Sequence, residues 1–208
     1  MDELTEDERA IVELVREFVN RDVKPVVRDL EHANTYPDKL IGQMKQLGVF
    51  GLAIPQPWGE AKVSTPCYAL ITEELARGWM SLAGAMGGHT VVAKMLIEFG
   101  TDEQKQRYLP KMATGEVRAA MALTEPGGGS DLQALRTTAR RDRDRDRDGD
   151  GYGDRDRDGY GDRDRDRDRD GYVVNGSKTW ISNARRAGMI ALLVKTDPVA
   201  DPPHAGIS

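Results

Sequence analysis

The sequence predicts an α+β fold, with an all-helical domain over residues 1–116 and a small antiparallel β domain over residues 117–208. Three observations lead to this division. Apolar residues recur at helical spacing in the first part of the chain. After residue 116 the apolar runs become short and are bounded by glycine, asparagine and proline, which is typical of strands. The run that opens the second part leads directly into three consecutive glycines.

Capping residues predict where the first helices begin and end. Thr5 and Glu8 have the spacing of a capping box, in which each side chain binds the other residue's backbone N–H. The helix that follows is interrupted at Pro25, which cannot donate a backbone hydrogen bond. A second helix is predicted over 37–47, with Gly48 as its terminating glycine.

The middle of the helical domain contains two further predicted helices. Residues 50–55 are expected to be extended, and residues 56–59 form a turn. Thr65 is the predicted cap of a third helix, with Pro66 at its first position, running to about Ala76. Ser81 opens a fourth helix that reaches Phe99.

Three glycines and one histidine lie in this fourth helix. Gly84, Gly87 and Gly88 permit either close helix packing or the approach of a ligand chain, and the sequence leaves both open. We interpret His89 as a packed polar residue. Thr101 begins a last, short helix that is expected to stop at Pro110.

Five short strands are predicted in the second domain, at 117–123, 137–139, 172–174, 178–182 and 189–195. Asn175-Gly176 is a strong signal for a two-residue hairpin turn. Between the second and third strands lies a low-complexity array, residues 141–170, built of Arg-Asp repeats.

The array has almost no apolar residue and cannot bury a core, so it is interpreted as a solvated insert at a hairpin tip. An interaction tail is the alternative. Two segments, beginning at Asp144 and Asp154, match the first half of a calcium-binding loop. The twelfth position, which needs a bidentate Glu, holds Arg155 or Arg165, so calcium binding is disfavoured.

Overall composition excludes several classes of function. The formal net charge of −5 argues against nucleic-acid binding. Cys67, the single cysteine, has no partner for an internal disulfide. The acidic start lacks the features of a signal peptide, and no run of about 18 apolar residues predicts a membrane span. We expect a cytoplasmic protein without a metal site.

The segment Thr124-Glu-Pro-Gly-Gly-Gly-Ser-Asp131 carries the chemistry of the second domain. Its glycines let backbone N–H groups form an anion-binding concavity after the strand. A plain glycine-rich turn is the alternative on composition alone. The segment resembles the flavin-binding signature of the acyl-CoA dehydrogenase family, and Asn175-Gly-Ser-Lys-Thr-Trp-Ile-Ser-Asn183 is similar to that family's later landmark.

The resemblance implies FAD as cofactor and specific contacts to it. Met121, Leu123 and Thr124 would line the flavin ring, and Gly129 and Ser130 would contact the pyrophosphate. Ser130 would also meet the acyl-CoA substrate. The flavin-contacting residues of the second motif would be Trp180, Ile181 and Ser182, with Trp180 packed on the ring and Ser182 donating to flavin N5.

The resemblance also implies what lies outside the chain. The family's C-terminal helical bundle, which carries the catalytic glutamate, is absent, so no catalytic residue is assigned. The chain is expected to be an N-terminal portion of an oxidoreductase of fatty acid metabolism, inactive alone. An electron-transfer flavoprotein is the expected acceptor, and the complete protein is expected to be a homo- or hetero-oligomer. The alternative is a non-catalytic flavin- or partner-binding subunit.

Overall fold

The structure, a computed structural model, describes residues 4–60, 62–141 and 171–208. These residues belong to two units. The first unit combines Met1–Met121 with Ile181–Ala191, and the second combines Ala122–Trp180 with Leu192–Ser208. Most of the Arg-Asp array, including both matches to a calcium-binding loop, lies outside the described residues.

Five α-helices provide most of the described part of the first unit. They are α1 (Glu6–Phe18), α2 (Val27–His32), α3 (Asp38–Gln46), α4 (Thr65–Phe99) and α5 (Asp102–Ala113). Both predicted capping boxes are present, Thr5 with Glu8 and Thr101 with Gln104. Gly48, with φ of 69°, follows α3 in the left-handed conformation that favours glycine. The helical character of this part of the chain is therefore confirmed.

The bounds of α4 differ from the prediction. Its cap is Ser64, whose hydroxyl accepts the backbone N–H of Cys67, and Thr65 is already helical. The third and fourth predicted helices form one element with a break at Trp79 (φ −160°, ψ 112°), two residues before Ser81. Trp79 is only 8% exposed, and its indole N–H donates to a Glu31 carboxylate oxygen at 2.7 Å. The break thus coincides with a buried, hydrogen-bonded tryptophan.

Two other local predictions were wrong. Residues Val49–Gly51 form a 3-10 turn instead of an extended piece, and it buries Val49 and Phe50. Helix α5 continues through Pro110 to Ala113. A proline removes one helical hydrogen bond and crowds the carbonyl four residues earlier, and we attribute the continuation of the helix to the burial of Leu109 and Met112, which are both fully buried.

One helix among the described residues, Thr65–Phe99, is long and apolar enough to cross a membrane by length and composition. Of its most apolar 18-residue window, 44% is buried inside the protein. Ile71, Leu75, Leu82 and Met86 of this helix are fully buried in the larger core of the first unit. A core helix passes the same test as a membrane span, so the finding is weak evidence for a membrane.

A buried carboxylate links α1 to α4 inside that core. Glu74 is 6% exposed, and its carboxylate accepts hydrogen bonds from Arg16 at 3.0 Å and Arg77 at 3.2 Å. A buried charge is tolerated when it is paired in this way. The two arginines thus allow α1 and α4 to pack closely around an ionised group.

His89 is a buried polar residue of α4 in the first unit. It is fully buried, and its Nδ1 accepts the backbone N–H of Ala119 at 3.1 Å. Its ring meets that of Phe50 edge to face, with 5.3 Å between centroids. Since Nδ1 is an acceptor, the proton of the neutral ring sits on Nε2. The interpretation of His89 as a packed polar residue agrees with these contacts.

Four strands are present in the described residues: β1 (Ala119–Ala122), β2 (Thr138–Arg141), β3 (Tyr172–Asn175) and β4 (Met189–Leu192). β1 pairs with β4, and β2 pairs with β3 in an antiparallel ladder that matches Thr138 with Asn175 and Arg141 with Tyr172. The bonds from Gly188 to Arg118 and from Leu193 to Ala122 advance in the same direction, so β4 runs parallel to β1.

The strand predicted at 178–182 is wrong, because these residues have no strand conformation. Asn175-Gly176 accordingly does not connect two paired strands. The hairpin turn predicted at Asn175-Gly176 is therefore wrong, because Asn175 ends β3, residues 176–180 form no turn, and β3 pairs with β2, the strand before it. Residues 178–182 have a different role, described below.

Burial of His89 generates a prediction about pH. Burial lowers the pKa of His89 from 6.5 to about 4, and the nearby backbone of Phe50 and Met112 offsets this only in part. Below pH 6.5 the unfolded chain therefore binds a proton that the folded chain refuses. We expect the free energy of unfolding to fall as pH drops from 6.5 to 5, with a contribution of up to about 1.4 kcal/mol per pH unit from this group.

The measurement is urea denaturation at several pH values in that range. His89→Gln keeps an acceptor for Ala119 and should flatten the pH dependence, even if it lowers stability at every pH. His32→Gln is the matched control, because His32 is exposed. An equal slope in wild type and His89→Gln would contradict the assignment.

Candidate functional site

Among the described residues of the second unit, Glu125, in the glycine-loop motif, is the carboxylate with the most hydrogen bonds. It is 8% exposed, and it accepts the backbone N–H groups of Arg136 at 2.6 Å and Thr137 at 2.9 Å. Burial alone would raise its pKa, but hydrogen bonds from Thr137, Arg136 and Lys178 outweigh it and lower the pKa to about 2. Glu125 is thus ionised at neutral pH, and both of its carboxylate oxygens accept hydrogen bonds from the protein.

Lys178 brings the two sequence motifs together. Its ammonium donates to Glu125 at 2.9 Å and to the carbonyl of Leu123 at 3.0 Å, and its side chain is 8% exposed. The next residue, Thr179, donates its N–H to the carbonyl of Thr124 at 2.9 Å. The segment 178–179 therefore lies along Leu123–Glu125 and is held there by two hydrogen bonds of the Lys178 side chain and one backbone hydrogen bond of Thr179.

Trp180 comes directly after this fastened segment. Its side chain is 88% exposed, and its φ of 58° places a bulky residue in the left-handed region. Such a conformation is a genuine outlier for a large side chain and is found where surrounding structure imposes it. A flat apolar ring held in solvent by a strained backbone is available to stack on a planar ligand.

The glycine loop turns tightly beside these residues. Gly128 and Glu125 exchange backbone hydrogen bonds of 2.9 and 3.1 Å, which closes the turn. In the described part of the chain, the N–H groups of Gly129 and Ser130 have no protein acceptor. A Cβ added at Gly127 or Gly128 would meet nothing within 4 Å. The loop is exposed and offers free N–H groups, as an anion-binding turn requires.

The remaining predicted site residues fall in the first unit. Met121, at the end of β1, is half-buried against the smaller apolar cluster. Ile181 is half-buried and Ser182 is exposed, in a turn closed by the bond from Ala184 N–H to the Ile181 carbonyl at 3.3 Å. The roles predicted for these three residues, and the flavin roles of the other five, stay predictions.

Sequence reasoning missed Glu125 and Lys178 as site-forming residues. Both lie inside the two motifs, but their types alone do not distinguish an exposed ion pair from a buried one. Asp131 was likewise given no role, and its carboxylate caps the short 3-10 turn Leu132–Ala134 through Gln133 N–H at 3.1 Å. Across the described ranges, no group of three or more His, Cys, Asp or Glu side chains could hold a metal ion.

The glycines of α4 face open space. A Cβ built at Gly84, Gly87 or Gly88 would meet nothing within 4 Å. Exposed apolar residues, Met80, Val91, Met95 and Phe99, accompany them on the second half of the helix. The sequence left open whether these glycines allow close helix packing or the approach of a ligand chain. Within the described residues of this unit, no other helix packs against them.

Comparison with known proteins identifies the class. Residues 5–116, more than half of the chain, match the model of "Acyl-CoA dehydrogenase, N-terminal domain". The chain is 31% identical over 195 residues to 3-(aryl)acrylate reductase of Clostridium sporogenes, covering 93% of this chain and 45% of that protein.

Two solved structures share the fold. An acyl-CoA dehydrogenase from Geobacillus kaustophilus matches with a TM-score of 0.78 and 33% identity, covering 99% of this chain and 47% of that one. A glutaryl-CoA dehydrogenase from Mycobacterium smegmatis, in complex with FADH2, matches with a TM-score of 0.73 and 29% identity over 93% of this chain and 44% of that one.

The fold and the matches place the chain in the class of proteins that combine a helical N-terminal domain with a small sheet domain. The chain belongs to the acyl-CoA dehydrogenase family. It spans less than half the length of each of these relatives. The family's dehydrogenases bind FAD.

Gly176 generates a prediction about the second unit. Its φ is 152°, and an added Cβ would lie 2.6 Å from the Cα of Thr137, whose N–H binds Glu125. Gly176→Ala should therefore lower the free energy of unfolding by about 1–3 kcal/mol, since backbone cannot yield as a side-chain end can. Chemical denaturation measures the change.

Gly171→Ala is the matched control, because a Cβ there would meet nothing within 4 Å. It should change stability by less than about 0.5 kcal/mol. Equal stability of the two variants would mean that Gly176 is not in steric contact with Thr137.

Proposed function

We propose that this chain supplies the flavin-binding loop of an FAD-dependent oxidoreductase acting on the CH–CH group of acyl-CoA thioesters. The observation that carries the proposal is the arrangement in the second unit. The exposed ring of Trp180 follows two residues that are hydrogen-bonded beside the glycine loop, and among the described residues the N–H groups of Gly129 and Ser130 have no acceptor. A planar ring system and a phosphate are the two chemical features of a flavin nucleotide.

The residue types at the site match what FAD requires: an aromatic ring, apolar side chains and backbone N–H donors. Trp180 would pack on the flavin ring, and Leu123 and Thr124, both half-buried at the end of β1, would line it. Gly129 and Ser130 would donate N–H groups to the pyrophosphate, and Ser130 would also meet acyl-CoA. When bound, FAD supplies a two-electron acceptor for the hydride of the substrate's β carbon.

We propose no direction for the reaction, oxidation or reduction of the CH–CH bond, because the chain spans less than half the length of its relatives. A relative named a reductase saturates the kind of bond that a dehydrogenase introduces, so the shared chemistry is hydride exchange across CH–CH. An electron-transfer flavoprotein is the proposed redox partner, and a cytoplasmic location and an oligomeric state are proposed with it.

The chain's own loop carboxylates are unsuited to take the α proton. Glu125 is held ionised by three donors with a pKa of about 2, which makes it a very weak base. Asp131 already accepts Gln133 N–H. We therefore propose that the base is supplied by the part of the family fold that this chain does not span.

The open glycine face of α4 suits the acyl chain in this proposal. Glycines leave room beside the helix, and Met80, Val91 and Met95 offer an apolar surface for methylene groups. Close helix packing remains the alternative for the whole protein.

Flavin affinity tests the role of Trp180. In FAD titrations of the purified chain, followed by flavin fluorescence, Trp180→Ala should weaken binding about tenfold, since lost ring packing of about 1.4 kcal/mol corresponds to that factor. The affinity for riboflavin should fall by the same factor in this variant, because riboflavin contains the flavin ring without the pyrophosphate.

The matched control is Tyr172→Ala, which removes another exposed aromatic ring of the same unit outside the loop. It should bind FAD like wild type. Equal affinity of the Trp180 and Tyr172 variants would remove the main support for the proposed flavin site.

Activity tests the proposed origin of the base. Under anaerobic conditions, acyl-CoA substrates should not bleach the flavin bound to the 208-residue chain at an enzymatic rate. The reason is that the loop carboxylates already accept hydrogen bonds within the protein. A full-length family dehydrogenase is the positive control. Rapid bleaching would show that residues 1–208 contain a base and would contradict the proposal.

A further inference from the structure

The backbone of Trp180 requires a physical explanation. A non-glycine residue with φ of 58° is unfavourable, and 88% exposure means that the ring gains almost no burial in return. Nothing in the side chain itself stabilises this conformation. It must therefore be imposed by the residues on either side.

The preceding two residues are the anchored ones. Lys178 binds Glu125 at 2.9 Å and the Leu123 carbonyl at 3.0 Å, and Thr179 N–H binds the Thr124 carbonyl at 2.9 Å. These three contacts fix the direction in which the chain enters Trp180. The side chains of Lys178 and Glu125 are each 8% exposed, so solvent competes little for the pair.

Glu125 is in turn fixed to the frame of the unit. Arg136 N–H and Thr137 N–H bind its two oxygens at 2.6 and 2.9 Å. Thr137 also accepts Lys195 N–H at 2.8 Å through its carbonyl. The chain of bonds therefore runs from Lys195 and Thr137 through Glu125 to Lys178, the second residue before Trp180.

We propose that Glu125 and Lys178 are positioning residues that hold the Trp180 backbone in its left-handed conformation and so aim its ring. The identity of the ligand that stacks on the ring rests on the proposed function. The claim that the pair fixes the Trp180 backbone does not depend on that ligand. The pair acts through Trp180 and touches no reacting atom itself.

The test uses the full chain labelled with 5-fluorotryptophan, which gives one fluorine NMR resonance for each of Trp58, Trp79 and Trp180. Trp180→Phe assigns the third resonance. Lys178→Met should shift or broaden the Trp180 resonance, while Trp58 and Trp79, both in the first unit, stay in place and report that the first unit is folded.

Two further variants sharpen the test. Lys195→Met removes a lysine charge from the same unit without contacting Glu125, and should leave all three resonances unchanged. The double variant Glu125→Gln with Lys178→Met leaves no unpaired buried charge, and it should move the Trp180 resonance as the single variant does.

An unmoved Trp180 resonance in a folded variant would overturn the proposal. Collapse of all three resonances in both the single and the double variant would also overturn it, because the pair would then be needed for folding in general. FAD titration of the same variants separates the two proposals: we expect affinity to fall about tenfold together with the shift. A shifted Trp180 with unchanged FAD affinity would contradict the flavin role and leave the positioning role standing.

Discussion

Charge neutralisation of the Glu125 carboxylate is the interaction on which the second unit depends. An ionised carboxylate this deeply buried is unfavourable unless its lone pairs are used. Two backbone N–H groups and one ammonium use them here, and they come from two separate stretches of chain, one at Arg136 and Thr137 and the other at Lys178. One side chain thereby fixes the glycine loop, the start of β2 and the segment before Trp180.

The first unit applies the same physical rule with different groups. Glu74 is paired with two arginines between α1 and α4, and neutral His89 accepts the N–H of Ala119 at the start of β1. Each is a buried polar group whose bonding requires particular partners at fixed positions. Apolar packing gives this unit most of its stability, whereas these groups specify which segments meet.

Local signals explain why much of the helical part was predictable. Capping boxes at Thr5 and Thr101 and the glycine at position 48 depend on residues within three or four positions, and a sequence shows those directly. The errors arose where distant contacts decide. Helix α5 passes Pro110 because Leu109 and Met112 are buried, and no local pattern reveals that burial.

The candidate site shows the same limit. The glycine loop and the tryptophan could be located from two motifs, but the segment 178–182 was assigned to a strand because it is a short run bounded by turn residues. Its true conformation follows from Lys178 reaching Glu125, 53 positions away. A long-range ion pair of this kind leaves no periodic trace in the sequence.

The register of β2 and β3 bears on how this gene can change. Arg141 and Tyr172, which lie on either side of the Arg-Asp array, are direct partners in the ladder. Tandem repeats are prone to gain or lose copies when DNA is replicated. Because both ends of the tract meet at one rung, a change in copy number alters neither strand's pairing, and closure entropy rises only with the logarithm of length. The pairing of β2 with β3 is therefore independent of how many repeats the sequence places between them.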